Sequence, residues 1–111
     1  MAEATLDVEK IISLYVTELR RHGIHPREVI LYGSYARGEA TSLSDIDLVI
    51  ISEDLSRWPS LERLEMLSRL AACVDAPLEV LGYTPAEIAR SGKDSILWSE
   101  ITRHGRNIKA A

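Results

Sequence analysis

The sequence predicts one α/β (α+β) layer domain spanning residues 1–111. Two observations predict it. Amphipathic helical stripes alternate with short β-rich runs in the order α-β-α-β-α-β-α-α, and no repeat, low-complexity tract or linker interrupts them. A chain of 111 residues, 46% of them apolar, also suits a single core, burying roughly 60–70% of the unfolded surface and leaving no room for a second domain. Phenylalanine is absent and aromatics make up 5%, so that core must be aliphatic.

The first helix is carried by Val8, Ile11, Ile12, Tyr15 and Leu19 at helical spacing. Arg20, Arg21 and His22 complement its dipole, and Gly23 stops it. After Pro26, the run Val29-Ile30-Leu31-Tyr32 reads as a strand ending at Gly33. The polar stretch up to Asp45 has room for one or two helical turns. Ile46-Asp47-Leu48-Val49-Ile50-Ile51 is the strongest strand signal. A second long helix is expected from Pro59 to Val74, its stripe formed by Leu61, Leu64, Leu67, Leu70, Ala71 and Val74. Pro77 to Leu81 reads as a third strand. Thr84-Pro85-Ala86-Glu87 combines an N-cap, a proline at the first helical position and a capping-box glutamate, so a helix starts there and should stop at Gly92. Asp94 can cap a last helix that carries Leu97, Trp98 and Ile101 and closes at Arg103, His104 and Gly105.

Thirteen basic against seventeen acidic residues give a net charge of −4. A sequence-independent nucleic-acid binder needs a basic face for phosphates, so the acidic balance argues against that class, and no sequence-specific nucleic-acid partner is expected either. No apolar run reaches the roughly 20 residues of a membrane span, and no signal-peptide pattern follows Met1. The lone cysteine, Cys73, rules out an intrachain disulfide and reads as a small buried apolar group, which makes a reducing cytoplasm the expected location.

The chemistry is concentrated in Gly33-Ser34-Tyr35-Ala36-Arg37-Gly38 and Ser44-Asp45-Ile46-Asp47-Leu48. Side chains two apart on a strand share a face, about 6.6 Å apart along it. Two carboxylates ~5 Å apart at an effective dielectric of ~20 repel by about 3 kcal/mol, a conflict that a divalent cation removes. Oxygen-only ligands select hard ions such as Mg²⁺ or Mn²⁺. Taken alone, Asp-x-Asp at a strand start is more often a turn or edge feature. Gly33-Ser34 adds a second half: a glycine lets backbone approach a phosphate closely while N–H and O–H groups donate to it. For Ser34 to meet Asp45 and Asp47, the first two strands must be antiparallel neighbours.

These residues resemble the signature of the DNA polymerase β-like nucleotidyltransferase superfamily, and the short chain is similar to its minimal nucleotidyltransferase branch. Seven matched positions at about 1 in 20 each would coincide roughly once in 10⁹ trials, so coincidence is a poor explanation. The resemblance implies a small mixed β-sheet flanked by helices. It also implies that Gly33 and Ser34 hold the β- and γ-phosphates of ATP or another nucleoside triphosphate. Asp45 and Asp47 would ligate two Mg²⁺ ions, with Mn²⁺ as a substitute. A third carboxylate from the next strand completes such sites; Asp75 and Glu79 are candidates, and Glu79 is preferred because a charge inside an apolar run needs a reason. The family more often has Asp there. Arg37 either contacts phosphates or pairs with Glu39, and Ser44 caps or orients the aspartate loop.

Two functions follow as expectations. The first is an enzyme that transfers a nucleoside monophosphate, AMP from ATP, to a hydroxyl supplied by another chain; the resemblance implies a tyrosine of a small helical HEPN-type toxin, with this protein as antitoxin. The alternative is a non-catalytic or weakly catalytic binding module that neutralises its partner by contact. A homo-oligomer is compatible with either.

Overall fold

The computed structural model describes residues 7–91 and 95–108. Helix α1 (Val8–Arg21) starts where the Asp7 side chain accepts the Lys10 amide at 3.1 Å, and it buries Ile11, Ile12, Tyr15, Val16 and Leu19. The following elements are β1 (Glu28–Tyr32), the single turn α2 (Ser34–Arg37), β2 (Ile46–Ile51), a 3₁₀ helix (Glu53–Arg57) and α3 (Ser60–Ala71). Then come β3 (Leu78–Tyr83), α4 (Pro85–Ser91), α5 (Ile96–His104) and the short β4 (Arg106–Asn107). The expected stop at Gly92 and cap at Asp94 lie outside the described residues. Ser95 caps α5, its hydroxyl accepting the Trp98 amide at 2.9 Å.

The sheet is mixed, in the order β3-β2-β1-β4. β1 runs antiparallel to β2 and pairs Tyr32 with Asp47; β3 runs parallel to β2 and pairs Glu79 with Asp47. Parallel pairing of consecutive strands requires a crossover, which α3 supplies. Even-numbered residues of β2 (Ile46, Leu48, Ile50) meet α1 and α3 in an aliphatic core with Tyr15, Leu19, Leu31, Leu67 and Val80. The odd-numbered Val49 and Ile51 face Ile30 and Ile101, with Ile88, Leu97 and Trp98 packed alongside. Both faces of β2 are therefore covered, which is why its sequence is a nearly continuous apolar run rather than an alternating one. Each such side chain fully buried stabilises the fold by roughly 1.5–3 kcal/mol.

Three details correct the sequence reading. Leu61 is 68% exposed and Leu64 43%, whereas Arg63 and Met66 are buried, so the stripe of α3 is rotated from the expected one. Arg63 can take an inward position because Glu87 receives its guanidinium in two hydrogen bonds, of 2.7 and 3.0 Å. Cys73 is exposed rather than buried, since it falls on the same outward side as Arg69, whose carbonyl lies 3.9 Å from its Sγ. β4, two residues long, pairs with β1 at Ile30 and Leu31 and has no counterpart in the expected order of elements.

Candidate active site

The acidic residues gather at one end of the sheet. Asp47 is the second residue of β2, Glu79 the second residue of β3, and the register sets them side by side on neighbouring strands. Strands that pair lie about 4.8 Å apart. Asp45 sits just ahead of β2, with its carboxylate within hydrogen-bonding reach of Glu79. Asp47 is half-buried, while Asp45 and Glu79 are exposed. Asp75, the other candidate, lies in the exposed loop before β3.

The electrostatics follow from this crowding. The hydrogen bond with Asp45 raises the Glu79 pKa, and burial and the negative charges of Asp47 and Asp45 push the same way. Burial also raises the Asp47 pKa; Asp45 adds to the rise and Arg37 opposes it. Tyr32, paired with Asp47 across the strands, has its hydroxyl pushed up to about 12 by burial and then by Asp47, Glu79 and Tyr83. Sequence reasoning treated Tyr32 only as the end of a strand. Its place beside the acids was readable in principle once β1 and β2 were taken as antiparallel neighbours.

The hydroxyl turn closes against the acids from β1. Gly33 is buried with φ of 74°, and a Cβ added there would collide with the Asp47 carboxylate. Only glycine brings the backbone so close to that side chain at this φ. The Gly33 carbonyl accepts the amides of Ala36 and Arg37, each at 3.1 Å, which winds α2 directly after Ser34. Arg37 gives its Nε–H to Glu39 at 3.0 Å and an Nη1 hydrogen to Glu100 at 2.5 Å. Ser44 orients the loop: its hydroxyl accepts the Thr41 amide at 2.8 Å, and its own amide donates to the Thr41 carbonyl at 3.1 Å. All the residues singled out in the sequence except Asp75 thus fall around one strand end.

Among the described residues, no three Asp, Glu, His or Cys side chains form a finished metal cage. The donors nevertheless suit Mg²⁺, which takes one or two carboxylates and completes its octahedron with water and substrate phosphate oxygens. A cation here would also offset the negative charge crowded at Asp45, Asp47 and Glu79. A separate groove of about 550 Å³ lies between α3 and α5, bordered by Leu64, Leu81, Ile88 and Trp98, and contains none of the three acids.

A family model described as a nucleotidyltransferase domain matches residues 12–97. Protein adenylyltransferase MntA of Thermococcus cleftensis is 43% identical over 57 residues, covering 50% of this chain and 56% of that protein. The chain spans about half the length of the curated relatives that it matches. A chain from the crystal structure of a toxin–antitoxin with AMP-PNP superposes with a TM-score of 0.63 at 21% identity, covering 96% of this chain and 75% of that one. Another, from the tri-AMPylated Shewanella oneidensis HEPN toxin in complex with MNT antitoxin, gives 0.55 at 16% identity over 93% and 73% of the two chains. At such identities the likeness speaks for the fold. The family pattern runs through all three long strands and the turn between the first two, so the chain belongs to the nucleotidyltransferase domain family, as a minimal nucleotidyltransferase of the DNA polymerase β-like superfamily.

Proposed function

We propose that this chain is a metal-dependent nucleotidyltransferase that moves AMP from ATP onto a hydroxyl of a partner protein, a tyrosine of a HEPN-type toxin, and so acts as its antitoxin. One observation carries the reading: Asp47 and Glu79 stand in register with Asp45 alongside, facing the Gly33–Ser34 turn. The relatives support the acceptor, since one is named a protein adenylyltransferase and one fold neighbour is an MNT antitoxin crystallised with a tri-AMPylated HEPN toxin.

In the transfer, the acceptor oxygen bonds to the α-phosphorus, the bond to the bridging oxygen breaks, and pyrophosphate leaves. Gly33 and Ser34 hold the β- and γ-phosphates, and Arg37 adds N–H donors from the end of α2. Asp45 and Asp47 would ligate two Mg²⁺ ions, with Glu79 as the third carboxylate, positioned to receive the acceptor's proton. When bound, the ions would neutralise charge on the triphosphate and on the departing pyrophosphate. Ser44 shapes the loop ahead of Asp45 through its two hydrogen bonds with Thr41.

Incubation with labelled ATP, Mg²⁺ and a HEPN-type partner protein tests the proposal. Label should pass to the partner with wild type and fall at least 100-fold with Asp45→Asn/Asp47→Asn, the scale on which loss of a catalytic electrostatic group acts. Equal transfer by both proteins, or none by either, removes the reading. Glu79 in register with Asp47, a longer acid than the family's usual aspartate, favours one second reading: a module that neutralises by contact. Complex formation that survives while calorimetry finds no binding of ATP with Mg²⁺ would select it.

A further inference from the structure

We infer that Glu100, on α5, is a positioning residue for the phosphate-binding turn: it holds the Arg37 guanidinium so that the remaining N–H donors meet triphosphate oxygens. The inference rests on the nucleotidyltransferase reading and extends it to a residue 63 positions away from Arg37 in the chain.

A four-residue helical turn has little stability of its own, because nucleation fixes several residues for one hydrogen bond. α2 therefore depends on anchors. Two are local: the Gly33 carbonyl at its start, and the Glu39 amide, which donates to the Ser34 carbonyl at 2.9 Å. The third is remote. Glu100 takes an Nη1 hydrogen of Arg37 at 2.5 Å, with both side chains about 30% exposed. Its neighbour Ile101 is buried against the same sheet face that carries Asp47, packed with Ile30 and Val49. Glu100 thus ties the turn after Ser34 to a helix fixed on the sheet.

The donor count leaves room for a ligand. A guanidinium has five N–H groups; Glu39 takes Nε–H and Glu100 takes one on Nη1, so three remain for phosphate. Arg37 is also near enough to Asp47 to act on its charge, which sets the fork beside the acids. Two carboxylates around one guanidinium fix its plane, and a planar fork recognises phosphate only in a defined orientation.

The sign of one substitution separates positioning from plain charge. Glu39 and Glu100 leave the Arg37 cluster net negative, so on charge alone Glu100→Gln would strengthen binding of an anionic nucleotide. Positioning requires the opposite. With the full chain and calorimetry of ATP in excess Mg²⁺, Glu100→Gln should weaken binding about 5- to 10-fold. Arg37→Ala should weaken it at least as much, and the double variant should bind no worse than Arg37→Ala alone. Because the pair is partly exposed, the unliganded unfolding midpoint should barely move. Binding by Glu100→Gln equal to or tighter than wild type, or losses that add in the double variant, would overturn the inference while leaving the nucleotidyltransferase reading intact. Absence of binding by wild type itself would overturn both.

Discussion

Gly33 combines two constraints: a φ of 74° and a backbone so near Asp47 that any Cβ meets its carboxylate. Gly33→Ala should therefore cost about 1–3 kcal/mol of stability, from the left-handed backbone and from displacement of Asp47. The urea midpoint reports the first part and loss of Mg²⁺-dependent ATP binding the second. Asp47 presents the reverse case. Its charge is held against burial and the neighbouring Asp45, so Asp47→Asn should raise stability while label transfer is lost. A thermal melt in chelator, set beside the transfer assay, checks both halves; a destabilised variant would contradict the account. The motif glycine, hydroxyl and aspartates were legible because their chemistry is written in short spacings. Glu100 was not, since it belongs to no local pattern and reaches Arg37 across 63 residues, while Tyr32 becomes readable only through the strand register.

The join between α3, β3 and α4 shows how local and distant signals combine. The Thr84 amide donates to Glu87 Oε1 at 2.9 Å, and the Glu87 amide donates to the Thr84 hydroxyl at 3.2 Å, the reciprocal cap that the sequence predicts. Nothing nearby in the sequence announces that Glu87 also pairs with the buried Arg63, which in turn donates to the carbonyls of Gly82 and Trp58. That is why Leu61 and Leu64 were taken as core: an aliphatic stripe is the natural reading until a partner for the arginine is known. Glu87→Gln should cost about 3 kcal/mol, because it leaves a guanidinium buried with weakened compensation. Arg63 and the Thr84 cap hold the Glu87 carboxyl down at about 2, below its ordinary 4.5. The pair's contribution is therefore complete above about pH 4.5 and is lost as pH falls toward 2, where the folded carboxylate finally takes a proton. Urea midpoints measured from pH 5 to pH 2.5 should fall more steeply for wild type than for Glu87→Gln, with parallel slopes refuting the assignment.

Across the molecule, the sheet buries both of its faces while its acidic end stays open. α1 and α3 cover one face, sewn together where the Tyr15 hydroxyl donates to the Leu67 carbonyl at 2.9 Å; α5 and α4 cover the other. The acids stand at the start of β2 and β3, beyond the last core residues of their face, Val49 and Leu81. Crowded carboxylates there cost stability in the free protein, so a cation and nucleotide that neutralise them bind the folded chain and not the unfolded one. Ligand at 100 times its dissociation constant then adds about 2.7 kcal/mol. For a chain of this size that corresponds to a rise of about 10 °C in Tm. Differential scanning fluorimetry should find the rise with ATP and Mg²⁺ together, a smaller one with Mg²⁺ alone, and its disappearance on adding a chelator. Asp45→Asn/Asp47→Asn should start from a higher unliganded Tm and respond little, because the same two charges that strain the free fold are the ones the ligand relieves. A double variant that gains as much from ATP and Mg²⁺ as wild type would place the nucleotide elsewhere on the molecule and break the link between the acidic strand ends and binding.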